Sequence, residues 1–310
     1  MGGSGGGFYR SSDRDSMEYA QKLREIEQKS IGKEFDIEVS KLLSDLLARY
    51  NDRDVESTSK HLEIIKNKLD KELESSVDLV FNGSVARHTY VDGFSDVDAL
   101  LVFDKSSLEG KSPTEVRTLI GKLIQERLPK TEVKIGSQAI TINFHDIKIQ
   151  VLPAAKYYDG YRISDESGQT WANVKPKEFA SKLTAVNRQL GGKLVPTIKL
   201  VKSIIAQSPS SKMSGYQAES LAIDVFKNYK GDSNTKSMLK HFFKDASGKI
   251  LNPIKDSAGT KISVDADLGS ANSLKRRILS NSFDRIARRM NNADGAQNIE
   301  NWNKILNPED

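Results

Sequence analysis

"NGSVARHTYVDGFSDVDALLVF", Asn82 to Phe103, is the stretch on which the reading of this 310-residue chain turns. It follows "VDLVF", a short β-rich run closed by an Asn-Gly-Ser turn signal. Gly83 permits positive φ and close backbone approach, and Ser84 brings a hydroxyl and an amide. Strand, Gly-Ser turn and helix start together make an anion cradle suited to phosphate. Gly-Ser alone carries no weight, because turns use it constantly. "DVDALLVF" reads as the next strand, alternating at first and then continuously apolar, as a buried central strand is. Its period of two puts the Asp96 and Asp98 carboxylates on one face, roughly 7 Å apart along the backbone. Two acids at the edge of an apolar interior are costly unless something positive compensates them. Hard oxygen ligands suit Mg2+, which takes phosphate oxygens and water as its remaining ligands.

Working outward, Met17 to Tyr50 reads as a long helical region and Ser57 to Leu73 as a second helix, with Ser57 or Thr58 as its cap. Beyond Phe103, "SPTEVRTLIGKLIQERL" is an amphipathic helix capped by Ser112 or Thr114. "TEVKIG", "AITINFH" and "IKIQVLPA" are three further strands. A small mixed sheet with a helix packed on it is an α+β lobe. After Pro153 the chain is expected to turn helical. The segments "KPKEFASKLTAVNRQLGG", "KLVPTIKLVKSIIAQ" and "SGYQAESLAIDVFKNY" read as helices. So does "GSANSLKRRILSNSFDRIARRMNNA", capped by Ser270 or Asn272. Asp245 to Leu268, turn-rich, reads as a surface excursion. The expected organisation is a linker-like stretch over residues 1–16, an α+β lobe over 17–155 and a helical lobe over 156–310.

Composition narrows the function classes. Hydrophobic residues make 37% of the chain and charged residues 29%, which describes a soluble globular protein. No run approaches the ~18–20 apolar residues of a membrane span. "MGGSGGGFYRSSDRDS" has no apolar core of a secretory signal, and its glycines and serines read as a flexible linker. Cytoplasmic residence is the expectation. With no cysteine, disulfides, thiolate zinc sites and a cysteine nucleophile are excluded. His61, His88, His145 and His241 are scattered without ligand spacing. The net charge of +5 is compatible with handling phosphates. Arg277, Arg285, Arg288 and Arg289 interleave with apolar residues at helical spacing and read as the wet face of a helix.

The combination is far more specific than its parts. An apolar residue, Gly-Ser, about ten residues and Asp-x-Asp resembles the polymerase-β-type nucleotidyltransferases. The fuller frame of Gly83, Ser84, Arg87, Thr89, Ser95, Asp96, Val97 and Asp98 resembles the CD-NTase family. Those cyclic-oligonucleotide synthases are related to cyclic GMP-AMP synthase and oligoadenylate synthase, and the bacterial members serve anti-phage signalling. The likeness extends, more weakly, over about residues 81–290. It implies a two-lobed nucleotidyltransferase fold, with the active site in the cleft between an α+β lobe and a C-terminal helical lobe. It implies two Mg2+ (or Mn2+) ions bridged by Asp96 and Asp98, one activating a ribose hydroxyl and one steadying the leaving pyrophosphate. Nucleoside triphosphates are the implied substrates, with a regulatory protein partner in view and no membrane. Activation by double-stranded DNA is disfavoured, because the zinc sensor of the animal enzyme needs thiolates. The resemblance also implies a triphosphate lysine, Lys202 or else Lys199 in "IKLVKSI", and nucleoside contacts from Ser214 and Tyr216 in "SGYQAESLA".

The family's third acid falls on Gln150 in "IKIQVLPA". An amide oxygen can ligate a cation but adds no charge and takes no proton at neutral pH. Asp146 shares its face by alternation but lies about 13 Å away along the strand. Three explanations of Gln150 stand. It marks a nucleotide sensor that has lost catalysis, an enzyme with a weakened third ligand, or an engineered carboxylate-to-amide exchange. A transferase acting on an RNA end or a protein side chain is a further reading of the same motif.

Overall fold

The computed structural model describes residues 11–51, 55–70, 77–81, 83–91, 97–103, 110–145, 147–165, 167–257 and 264–307. Two helices, α1 (Ser11–Arg49) and α2 (Val55–Asp70), precede strand β1 (Asp78–Phe81), the one-turn helix α3 (Gly83–Ala86) and β2 (Val97–Phe103). Helix α4 (Pro113–Arg127) leads to β3 (Glu132–Ile135), β4 (Ile140–Asn143), β5 (Lys148–Tyr157), β6 (Gly160–Ser164) and β7 (Trp171–Val174). The rest is helical: α5 (Pro176–Gln189), α6 (Leu194–Ala206), α7 (Gly215–Phe226), α8 (Thr235–Lys249), α9 (Leu274–Gly295) and α10 (Ile299–Leu306).

The sheet runs β1-β2-β5-β4-β3, with β6 added to β5 and β7 to β6. Among the described residues only β2 and β5 pair in parallel, and they are central. Leu100 to Phe103 are all buried, as the continuous apolar run requires. Ala99, Leu101 and Phe103 face one way, into a core closed by α2 and α4. Leu100 and Val102 face the other way with Ala154, and by strand alternation Asp98 lies on their side. Ser112 caps α4 through a reciprocal capping box with Glu115, while the Thr114 hydroxyl instead donates to the Gly168 carbonyl.

The strand content corrects the expectation that the chain turns helical after Pro153, and with it the start of a helical lobe at residue 156. Pro153 stays inside β5, opposite Leu101. It sits where β5 changes its antiparallel neighbour: β4 pairs with Lys148–Val151, and β6 with Ala154–Tyr157. A missing N–H there costs the ladder nothing. The hairpin that follows turns over Tyr158 and Asp159 before Gly160, with Tyr158 at φ 49°. Helix begins only at Pro176.

A second, larger core joins α1 with α5 to α10. Phe35, Val39, Leu43, Leu46 and Tyr50 form the buried stripe of α1, whereas Leu23, Ile26, Ile31 and Ile37 stay exposed. The Tyr50 and Ser203 hydroxyls share a 2.6 Å hydrogen bond that pins the end of α1 to α6. Four smaller expectations change. Residues 11–16 are helical rather than linker. Ser57 and Thr58 lie inside α2, which starts at Val55. The cap of α9 is Ser273, whose hydroxyl accepts from the Arg276 amide, rather than Ser270 or Asn272. The supposed surface excursion begins inside α8 and is clamped by a buried ion pair, Arg276 with Asp265 at 2.6 Å, both fully enclosed. Arg276 also donates to the carbonyls of Ile250, Asn252 and Gly269. Arg277, Arg285, Arg288 and Arg289 are exposed, as the helical spacing predicts. Among the described residues no helix is long and apolar enough to cross a membrane.

Candidate active site

Gly83 opens α3 with φ at +61°. A Cβ there would lie 2.1 Å from Asp98 Oδ2, so the turn closes against the carboxylate only because the residue is glycine. Ser84 is buried, and its carbonyl accepts from the amides of Thr89 (2.9 Å) and Tyr90 (3.1 Å). His88, at φ 58°, lets the chain fold back for those bonds. The Gly-Ser turn is therefore a compact loop whose far end, Arg87 to Thr89, points toward the helices.

Across the parallel ladder Asp98 stands in register with Gln150, and Thr141 flanks Gln150 on its other side. Asp98 and Gln150 are both half-buried. Gln150 thus stands beside Asp98 in the central parallel ladder. Ser95, Asp96 and Asp146 lie outside the described residues. Among the described ones no cluster of three or more His, Cys, Asp or Glu could hold a metal ion. Among the described residues, Asp98, Gln150 and Thr141 bring side-chain oxygens to this part of the sheet.

The helical side supplies cations. Lys199 and Lys202 are buried, 8% and 7% exposed. Lys202 Nζ donates to Glu219 Oε1 at 2.7 Å and to the Thr89 carbonyl at 3.1 Å. Lys199 Nζ donates to Asn51 Oδ1 at the end of α1. Burial, and then the charge of Lys202, pull the Lys199 ammonium below the ordinary lysine value. Arg87 Nε donates to Glu219 Oε2 at 2.6 Å, and Thr89 Oγ1 to Glu219 Oε1 at 2.5 Å. Glu219 is fully enclosed. Burial alone pushes its carboxyl up. The charges of Lys202 and Arg87, with hydrogen bonds from Lys202 and Thr89, outweigh that and hold it below the usual carboxylate value. Two buried cations, Arg87 and Lys202, thus pair with this one buried carboxylate, and Lys199 is close enough to Lys202 to feel its charge.

Ser214 and Tyr216 open α7. Ser214 caps it, accepting from the Gln217 amide while Gln217 accepts from the Ser214 amide, so its placement has a structural cause. Tyr216 keeps 36% of its surface exposed. Its ring packs on Phe179 at 4.7 Å, and the Arg87 guanidinium lies 4.9 Å from the Phe179 ring and 5.7 Å from the Tyr216 ring. The Tyr216 hydroxyl donates to Asp256 at 2.8 Å. Burial and that bond push its phenol well above the ordinary value.

Sequence reasoning missed Glu219, Asn51 and Phe179. Glu219 had a legible signal: it is an acid on the apolar face of "QAESLAIDVF", beside Ala218, Leu221 and Ala222, where an unpaired charge is too costly to leave. Its partners, 130 and 132 residues away, had none.

Comparison with known proteins is consistent with this geometry. Residues 35–187 match the model of the Second Messenger Oligonucleotide or Dinucleotide Synthetase domain. A probable cyclic nucleotide synthase of Bacillus cereus (strain VD146) is 24% identical over 254 residues, spanning 74% of this chain and 75% of that protein. Similar solved structures include the Bradyrhizobium diazoefficiens CD-NTase CdnG in complex with GTP, with a TM-score of 0.66 at 12% identity over 86% of this chain and 94% of that one. Escherichia coli MS115-1 CdnC, solved with a HORMA protein, has a TM-score of 0.64 at 13% identity over 81% of this chain and 90% of that one. Vibrio cholerae DncV cyclic AMP-GMP synthase, in complex with a linear intermediate, gives 0.60 at 12% identity over 91% of this chain and 86% of that one. At such identities the likeness establishes the fold.

Proposed function

Residues 35–187 form a second messenger oligonucleotide or dinucleotide synthetase domain of the CD-NTase family, and from that premise we propose that the chain joins nucleoside triphosphates into a cyclic di- or oligonucleotide. In each step a ribose hydroxyl oxygen bonds to an α-phosphorus, the bond to the β-phosphate bridging oxygen breaks, and pyrophosphate leaves. The last step uses a hydroxyl of the linear intermediate itself. The observation that carries the reading is the cluster of buried cations set against the Gly83–Thr89 turn, with that turn closed on Asp98. More buried positive than negative charge there favours a polyanion such as a triphosphate. Arg87, Lys199 and Lys202 bind and orient the phosphates, and Tyr216, with one face still exposed, offers a stacking surface to a base.

The donor set fits a hard divalent cation. Asp98 and Gln150 stand in register on neighbouring strands, and a glycine, not a side chain, closes the turn against the Asp98 carboxylate. Asp98, together with Asp96, would hold Mg2+ or Mn2+. Bound there, such an ion supplies charge neutralisation at the phosphates and a lowered pKa at the attacking hydroxyl. Gln150 adds neither charge nor a proton acceptor, so the hydroxyl proton leaves to water or to a phosphate oxygen, and turnover is slow. The same residue supports a second reading, a nucleotide-binding sensor without catalysis.

A protein activator is part of the proposal, double-stranded DNA is not, and a chain without cysteine has no thiolate zinc sensor. The test is mass spectrometry of products from all four nucleoside triphosphates with Mg2+ or Mn2+, with and without RNA, alongside calorimetric binding. Cyclic products support the synthase. Binding without product supports the sensor. Labelled RNA ends would replace both with an RNA-directed transferase, and no nucleotide binding would refute all three.

A further inference from the structure

Glu219 lies inside "SGYQAESLA" but is given no role by the sequence, yet it accepts three hydrogen bonds beside the proposed site. Its two oxygens take three hydrogen bonds: from Arg87 and Thr89 on the loop after α3, and from Lys202 on α6. Lys202 also donates to the Thr89 carbonyl, which closes a ring of three residues, Glu219, Thr89 and Lys202, from three separate segments. Thr89 in turn donates its amide to the Ser84 carbonyl, and Gly83 beside it packs on the Asp98 carboxylate. A continuous chain of contacts therefore runs from the helical lobe to the strand acid, and Glu219 is the anion at its helical end. Gly215 lets Lys202 lie close to the start of α7, since a Cβ there would sit 3.0 Å from the lysine Cε and 3.2 Å from Nζ.

We propose that Glu219 is a positioning residue, which holds the Gly83–Thr89 turn and the lysine of α6 in one geometry so that the phosphate-contacting groups of both lobes face a single triphosphate. The inference rests on the nucleotidyltransferase reading above. Its physical basis is twofold. A carboxylate buried without water accepts strong, directional bonds from charged donors, and these fix side chains far better than exposed pairs do. It also offsets part of the repulsion between Arg87 and Lys202, so the two cations can stay close in readiness for phosphate without pushing the loop and the helix apart. Glu219 itself touches no substrate. It acts through Arg87, Thr89 and Lys202.

The test compares the full chain with Glu219→Gln and Glu219→Asp at a temperature where thermal melts show all three folded. ATP and GTP are titrated with Ca2+, and amide hydrogen exchange is read residue by residue. The expectation for Glu219→Gln is an affinity for triphosphate about 10-fold to 100-fold weaker, the range of a charged hydrogen bond or two. Exchange at the Thr89 and Tyr90 amides should be faster, with α8 and α9 protected as before. Glu219→Asp, which keeps the charge but not the reach, should fall between. Affinity and turn protection equal to wild type would overturn the proposal. So would exchange rising uniformly through α8 and α9 with affinity per folded molecule unchanged, the mark of a residue that only stabilises. If Glu219→Gln does not fold, Glu219→Asp decides by the same two readouts. A wild-type chain that binds neither nucleotide refutes the nucleotidyltransferase reading, while the exchange comparison still decides whether Glu219 holds the turn.

Discussion

Replacing Gln150 by glutamate puts a second carboxylate directly across the parallel ladder from Asp98. Neighbouring strands lie about 4.8 Å apart, so the two acids face each other at roughly 5 Å. At an effective dielectric of about 20, two like charges at that distance repel by about 3 kcal/mol. Asp98 and Gln150 are half-buried, so solvent screens part of this, and about 1–2 kcal/mol is the expected cost without metal. At roughly 2–4 °C per kcal/mol for a domain of this size, the variant should melt about 2–8 °C lower than wild type in chelator. Mg2+ or Mn2+ should remove that deficit, because the new acid then faces a cation. With a proton acceptor and a third charge in place, turnover of nucleoside triphosphates should rise by about 10²–10⁴. Differential scanning fluorimetry with and without cation reads the first effect, and pyrophosphate release reads the second. A Gln150→Glu protein whose melting ignores both the charge and the cation would refute the placement of the site. One that binds nucleotide but gains no turnover would favour a dedicated sensor.

Other consequences follow from single contacts. Gly83→Ala should cost about 1–3 kcal/mol and depress nucleotide affinity. Gly110→Ala has a similar positive φ and nothing within 4 Å of its Cβ, so it should leave affinity alone. Equal effects on binding would sink the close packing of Gly83 on Asp98. Arg276→Met leaves Asp265 buried without its guanidinium and should lower stability by about 3–5 kcal/mol, read from denaturant melts. An unchanged midpoint would refute the clamp. Glu219 titrates below its unfolded value. Its stabilisation is thus complete above about pH 4.3 and is lost as the pH falls through the lower folded value. Glu219→Gln should flatten that part of the acid limb of stability against pH, and an unaltered limb would argue against the charge network.

Much of the sheet lobe was legible. "DVDALLVF" alternates and then runs apolar, which is enough to place it as a central strand, and Ser112 three residues before Glu115 announces the start of α4. The hairpin of β5 and β6 does not stand among the sequence expectations although "YYDGYRIS" carries an Asp-Gly signal between β-forming residues. Pro153 was weighted as a breaker, and only the sheet's change of neighbour explains why it is tolerated. Helix α8 was missed for a different reason, since Lys, Ser and Thr dilute its apolar spacing. Its burial comes from Met238, Leu239, Phe242 and Phe243 meeting the other helices.

For the site, local sequence determined the parts whose chemistry is local. A Gly-Ser turn needs only its own backbone freedom, and a period of two orients Asp98 without reference to any other strand. The frame around Gln150 likewise identified the residue that stands beside Asp98. What only the tertiary structure decided is which charges meet. Lys202, Arg87 and Thr89 converge on Glu219 because α7 packs its apolar face against α6, and the loop after α3 closes on both. Such a meeting leaves no spacing to read along the chain. Its segments are joined by burial, and the low dielectric that makes the carboxylate costly alone makes it strong in company.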